Sequence, residues 1–140
     1  MMPQNIPHNL DDIKNTIHTL CLQEPSIIAA YIFGSYAKGN KRPKDIDLAI
    51  LLDHKQKETF SLLDFITRAE KKLSAPVDVI VLNTATELLK FEVRRTGILI
   101  FERDSSMRKQ FEVRSRKSYE DFLYLHRRYV KKVLYGKNNG

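Results

Sequence analysis

The sequence predicts an α/β domain: a small mixed β-sheet flanked by helices, with a long helical segment at its C-terminal end. Three observations carry that expectation. Apolar runs of strand length, at 26–33, 45–52, 77–83 and 98–103, alternate with stretches whose apolar residues recur every three or four positions. Pro25, Gly34, Pro43, Pro76 and Gly97 punctuate the joins between them. From Asp104 to Tyr135 there is neither Pro nor Gly. A chain of 140 residues can bury one real core, so one domain over 1–140 is expected, with a core of about 10–103 and a helical segment of about 104–135.

Each element has its own signal. Asn9 before Asp11 and Asp12 reads as a helix start, and Leu10, Ile13, Ile17, Leu20 and Cys21 give residues 10–22 one apolar face. "SIIAAYIF" is continuously apolar and rich in β-branched side chains, which predicts a buried central strand ending at Gly34. "DIDLAILL" reads as a second strand. Residues 57–73 place Phe60, Leu63, Phe65, Ile66, Ala69 and Leu73 on a broad helical face. "VDVIVLN" reads as a third buried strand, Thr84 or Thr86 can cap a short helix, and "ILIFER" is a fourth strand. The last segment, one long helix or two, carries an apolar stripe of Phe111, Phe122, Leu125, Tyr129 and Val133 and stops at Gly136; a frayed "GKNNG" follows.

At 42% hydrophobic and 29% charged, the composition is that of a globular rather than a disordered chain. No apolar run approaches the roughly 20 residues that span a bilayer, and the first residues show neither a cationic nor an apolar signal region. The single cysteine, Cys21, falls on a predicted helix face and reads as a buried, inert thiol, which fits a reducing cytoplasmic setting. The formal charge of +7 is uneven: residues 104–140 hold ten Lys and Arg against four Asp and Glu, while the first 103 are nearly balanced. That basic segment suits nucleic acid or an acidic protein surface.

The chemistry concentrates in "YIFGSYAKGNKRPKDIDLAILL", residues 31–52. Asp45 and Asp47 are two apart in a strand and so share a face. Side-by-side carboxylates on a half-buried sheet cost free energy unless a cation sits between them, and hard oxygen ligands select Mg²⁺ or Mn²⁺. Asp78, between Val77 and Val79, is the other acid embedded in an apolar strand: it completes a three-carboxylate cluster if the two strands are neighbours, or else lies at a strand edge facing solvent. Gly34 and Ser35 at a strand end can offer backbone N–H groups and a hydroxyl to phosphate oxygens. Lys38, Lys41, Arg42 and Lys44 follow in the same loop: each alone reads as a solvated surface charge, and as a group beside a phosphate site they are candidate triphosphate contacts. His8, His18, His54 and His126 lack metal-ligand spacing, and Arg94 and Arg95 are either solvated or within reach of a nucleotide.

Gly34-Ser35, nine residues, Asp45-x-Asp47 and a distant strand-borne Asp78 together resemble the signature of the DNA polymerase β-like nucleotidyltransferase superfamily. The likeness covers residues 31–83. In size, and in "GILIFERD" followed by a long helix, the chain looks most like the MNT minimal nucleotidyltransferases, antitoxin partners of HEPN-domain RNase toxins. Lys44 stands where the family often has a small hydroxyl residue. Ala37 stands where larger members often carry a phosphate-binding arginine, a place Lys38 can take.

The resemblance implies a polymerase β-like fold with ATP as substrate and two Mg²⁺ ions, or Mn²⁺. Asp45 and Asp47 would bridge the ions; Asp78 would ligate one and help deprotonate the acceptor; Gly34, Ser35, Lys38 and Lys44 would hold the nucleotide. It implies transfer of AMP to a tyrosine of a cognate HEPN toxin. The C-terminal cations, Arg127, Arg128 and Lys131 among them, are then expected to dock that partner. Three alternatives stay open: nucleotidylation of a small molecule or an RNA end, a silent antitoxin acting by binding alone, and an RNA-binding module built on the basic segment and its tyrosines.

Overall fold

Asn9 opens the first helix by accepting a hydrogen bond from the Asp12 backbone N–H at 2.8 Å, so α1 (Leu10–Leu22) begins where the sequence predicts. The computed structural model describes residues 9–34, 45–55 and 59–136. In chain order the remaining elements are β1 (Ile27–Phe33), β2 (Ile46–Leu52), α2 (Leu62–Leu73), β3 (Val77–Val81), a single 3₁₀ turn over Leu82–Thr84, α3 (Glu87–Thr96), β4 (Ile98–Glu102) and α4 (Ser105–Tyr135). Side chains of Ser61, Thr86 and Asp104 cap the other three helices in the same manner as Asn9. The helix expected over 57–73 starts at Leu62 because Ser61 caps it, and Leu63 then faces solvent instead of the core.

The four strands form one mixed sheet in the order β3-β2-β1-β4. β1 pairs antiparallel with both β2 and β4, while β2 and β3 are parallel. The parallel pair requires a crossover, which α2 supplies. β1 is central and wholly buried, as expected. β3, expected to be buried, is an edge strand with only Val77 fully covered: its position in the sheet, not its apolar composition, sets its exposure. Beyond its end the Asn83 carboxamide accepts from the Leu52 N–H and donates to the Leu52 carbonyl, both at 2.9 Å, extending the ladder by one side chain.

Two apolar layers result. On one face α1 and α2 bring Ile13, Ile17, Leu20, Phe65, Ala69 and Leu73 onto Ile32, Ile46, Leu48 and Ile50 of the sheet. On the other, Val93 of α3 and Met107 and Phe111 of α4 cover Tyr31, Ala49 and Leu51. α4 is one helix of 31 residues, and Ser115 is its sole buried position. Its apolar stripe splits accordingly: Phe111 packs on the sheet, whereas Leu125, Tyr129 and Val133 stand in the open. Among the described residues no helix is long and apolar enough to cross a membrane. Cys21 is buried as expected, and burial pushes its thiol up to about 12, so it stays protonated and inert.

Arg103 ties these layers together in a way the sequence did not announce. Its guanidinium and Nε donate to the carbonyls of Cys21, Leu22, Glu24 and Ile27 at 2.9–3.3 Å, and its Cζ lies 5.2 Å from the Phe101 ring centre. The final carbonyls of a helix lack intrahelical partners, and α1 has no basic residue in its last turn. Arg103→Ala is therefore expected to lower unfolding stability by about 1–2 kcal/mol in a denaturant titration. A change within about 0.5 kcal/mol of zero would mean that water replaces the clamp without loss.

Candidate functional site

The parallel register sets Asp47 directly opposite Asp78, and the antiparallel register sets Phe33 opposite Asp47 on its other side. Register partners on neighbouring strands point to the same face, so the two carboxylates stand side by side. Asp47 alternates with Ala49 and Leu51, which places the pair on the α3/α4 face, past the edge of that apolar layer. Asp45 lies at the bend that leads into β2.

The electrostatics follow from this crowding. Asp47 is half-buried, while Asp45 and Asp78 are exposed. Burial, then the charge of Asp78, then that of Asp45 hold the Asp47 carboxyl above the usual carboxylate range. The charges of Asp78 and Asp45 thus both act on Asp47 at a single sheet end.

Gly34 has a more specific task than close approach to a ligand. Its φ is +74°, in the left-handed region, and a Cβ built there would run into Oδ2 of Asp47, with Cγ at 3.2 Å. The glycine leaves room for the carboxylate itself. The sequence marks Gly34 as a strand-end glycine whose backbone can approach a phosphate; the steric demand depends on β1 and β2 being paired with Phe33 opposite Asp47.

A divalent cation fits the donor set, since all three residues offer hard, anionic oxygens that repel one another. Among the described residues no three metal-ligating side chains meet closely enough to form a finished cage. The fit therefore rests on register and charge. Ser35, Lys38 and Lys44, expected to hold the nucleotide, lie outside the described residues, as do Lys41, Arg42 and His8.

Other expected residues sit elsewhere. Arg127, Arg128 and Lys131 are exposed on the outer half of α4, at least roughly 18 Å along the axis from Ser115. They are not brought to the carboxylates by the sheet. Arg94 is neither freely solvated nor at the Asp pair: it donates to Ser115 Oγ at 2.5 Å and lies over the stacked rings of Phe91 and Tyr119, fastening α3 to α4. Arg95 pairs with Glu92 at 2.8 Å. His18 sets its ring edge-to-face with Phe101, and His126 stacks on Phe122, both structural contacts.

The same face holds a polar network that sequence reasoning missed. The Tyr31 hydroxyl donates to Glu112 Oε2 at 2.6 Å, and Arg108 bridges Glu112 and Glu102. Burial and Glu112 push the Tyr31 phenol well up, so it remains a donor. Only a tyrosine inside a fully apolar strand hinted at such a partner.

The family described as Polymerase beta, Nucleotidyltransferase matches residues 15–106. No curated protein matches the chain. Among solved structures, a toxin–antitoxin with AMP-PNP has a TM-score of 0.71 at 22% identity, covering 86% of this chain and 98% of its own. The toxin–antitoxin MntA-HepT gives 0.66 at 19% identity, covering 89% and 98%. A tri-AMPylated Shewanella oneidensis HEPN toxin in complex with its MNT antitoxin gives 0.66 at 21%, also covering 89% and 98%. At these identities the likeness is one of fold.

Proposed function

The chain belongs to the polymerase β nucleotidyltransferase family, and from that premise we propose that it transfers AMP from ATP to a tyrosine of a cognate HEPN-domain toxin in the cytoplasm, neutralising it. The single observation that carries the reading is the in-register pair Asp47 and Asp78, with Gly34 clearing space beside it. Structures that share the fold, one with AMP-PNP and one with an AMPylated HEPN toxin, support the choice of nucleotide and acceptor.

Divalent cations held by Asp45, Asp47 and Asp78 would supply positive charge to the triphosphate and the leaving group. The rest of the reaction falls to the chain's own residues. The backbone at Gly34, with Ser35, Lys38 and Lys44, orients the phosphates so that the α-phosphorus faces the acceptor. The acceptor oxygen forms the new P–O bond, the bond bridging the α- and β-phosphates breaks, and pyrophosphate leaves with the electron pair. The hydroxyl proton passes to Asp78. Asp78 sits exposed on an edge strand, where a tyrosine on another protein can reach it; a deeply buried base could serve only a small acceptor.

α4 supplies the docking surface in this reading. Tyr124, Leu125, Tyr129 and Leu134 are each more than half exposed, with Arg127, Arg128 and Lys131 between them. Aromatic anchors beside cations suit an acidic, partly apolar protein surface. Arg127→Glu with Lys131→Glu is expected to weaken toxin binding tenfold or more in a titration of the two purified proteins, with the melting temperature unchanged. Unchanged affinity would move the interface off this half of the helix.

The direct test is α-labelled ATP with Mg²⁺ and the toxin, followed by intact mass. Label on the toxin, absent with Asp45→Asn and Asp47→Asn, supports the transferase. Equal neutralisation by wild type and variant without any label would leave a protein that acts by binding alone.

A further inference from the structure

One row along the sheet from the carboxylates lies a cavity of about 230 Å³ between α3, α4 and the strands. Tyr31, on its wall, is opposite Ala49, two residues from the Phe33–Asp47 pair and so about 7 Å along the strand. Val93, Leu99 and Phe111 give the cavity apolar walls, and Lys90, Arg94 and Arg116 give it three cations.

The nearby carboxylates do not neutralise all of that charge. Glu87 accepts from Lys90 at 3.0 Å and from Ser118 at 2.7 Å, and its remaining oxygen is buried without a hydrogen-bond partner among the described residues, so it offsets Arg94 only through space. Glu112, the acid in the cavity wall, already accepts from Tyr31 and Arg108. Among the described residues Arg94 has one hydrogen bond, to Ser115, out of the five its guanidinium can donate. Arg116 has no hydrogen bond or ion pair among the described residues, and its charge, after burial, lowers the basicity of Arg94. Two guanidiniums that line one concave, partly apolar site repel each other, and an anion between them relieves that repulsion.

We propose that this cavity binds a phosphate ester carried on a compact ring, with the phosphate between Arg94 and Arg116 and the ring against Val93, Leu99 and Phe111. The space is smaller than the roughly 300–1,000 Å³ of most ligand pockets, which suits a ring and one phosphate and excludes an intact nucleoside triphosphate. The planar forks of two arginines match phosphate oxygens in pairs. Two sources share this chemistry: a nucleoside monophosphate, and an aryl phosphate ester on a tyrosine. The inference does not depend on the transferase reading, because its readout is binding.

Calorimetric titration of the full chain with phenyl phosphate, AMP and inorganic phosphate tests it. Saturable binding of phenyl phosphate or AMP is expected, weakened tenfold or more by Arg116→Gln, whose exposed side chain lets the fold persist. Arg94→Lys keeps the charge but loses the fork, and is expected to weaken binding too. Binding should survive Asp47→Asn with Asp78→Asn. Tighter AMP supports the nucleotide as the source; tighter phenyl phosphate supports the aryl ester. No saturable binding, indifference to both arginine changes, or loss of binding in the carboxylate variant would overturn the proposal. Inorganic phosphate binding as tightly as either ester would overturn the role of the ring.

Discussion

Asp47→Asn is expected to cut nucleotidyl transfer by a thousandfold or more, a barrier increase on the order of 4 kcal/mol, while leaving the fold intact. Asparagine keeps the shape but removes the charge from the most central of the three acids, the one flanked by Phe33 on one strand and Asp78 on the other. A cation placed there would lose its best ligand. The loss should appear in single-turnover transfer of α-labelled AMP. It should also appear without any chemistry, since Mg²⁺ or Mn²⁺ is expected to raise the melting temperature of the wild type and not that of the variant.

The same substitution separates catalysis from stability by its sign. The folded protein holds the Asp47 proton more tightly than the unfolded chain does, because burial and two neighbouring acids raise its pKa. Ionised Asp47 therefore disfavours the fold; its penalty is absent below the ordinary carboxylate pKa and complete above the raised one. In EDTA, wild type and Asp47→Asn should melt together below about pH 4. The variant should then become the more stable of the two as the pH rises towards neutrality. A variant that melts lower at neutral pH would mean that Asp47 is a structural residue, and its lost activity would say nothing about metal.

How much of this could be read in the sequence depends on whether the signal was local. α1 was legible to the residue, because cap, acidic first turn, apolar spacing and Pro25 all lie within a short stretch. Asp47 and Asp78 were legible because an acid in an apolar strand is anomalous wherever the strand ends up; Asp45, expected in the same strand as Asp47, stands at the bend before it, since β2 begins at Ile46. The mutual register of Asp47 and Asp78 was not legible, since it depends on α2 returning the chain beside β2. Exposure of β3 depends on sheet order, and the open half of α4 on where the sheet ends beneath it. The exposure of β3 was misjudged from composition, which records that a face is apolar but not what covers it. Arg103 and Arg94 were missed for the same reason: each acts on an element distant in the chain, so nothing beside it in sequence marks its role.

Gly34→Ala isolates the one contact that joins the turn to the carboxylates, and two separate penalties are expected. A non-glycine residue at φ +74° costs about 1 kcal/mol from the backbone alone. The new methyl also collides with the Asp47 carboxylate, which must leave its place; a displacement of about 1 Å at a reacting centre can cost 100-fold in rate. Pairing the substitution with Asp47→Ala tells the two apart. Removing Oδ2 and Cγ leaves the Asp47 Cβ at 3.4 Å, an ordinary contact, so only the backbone penalty should remain. The stability cost of Gly34→Ala should thus fall to about 1 kcal/mol in that background, and the difference between backgrounds measures the steric coupling. Equal cost in both would mean that the turn tolerates a side chain by turning away from Asp47. The glycine would then be required by the backbone angle and not by the carboxylate beside it.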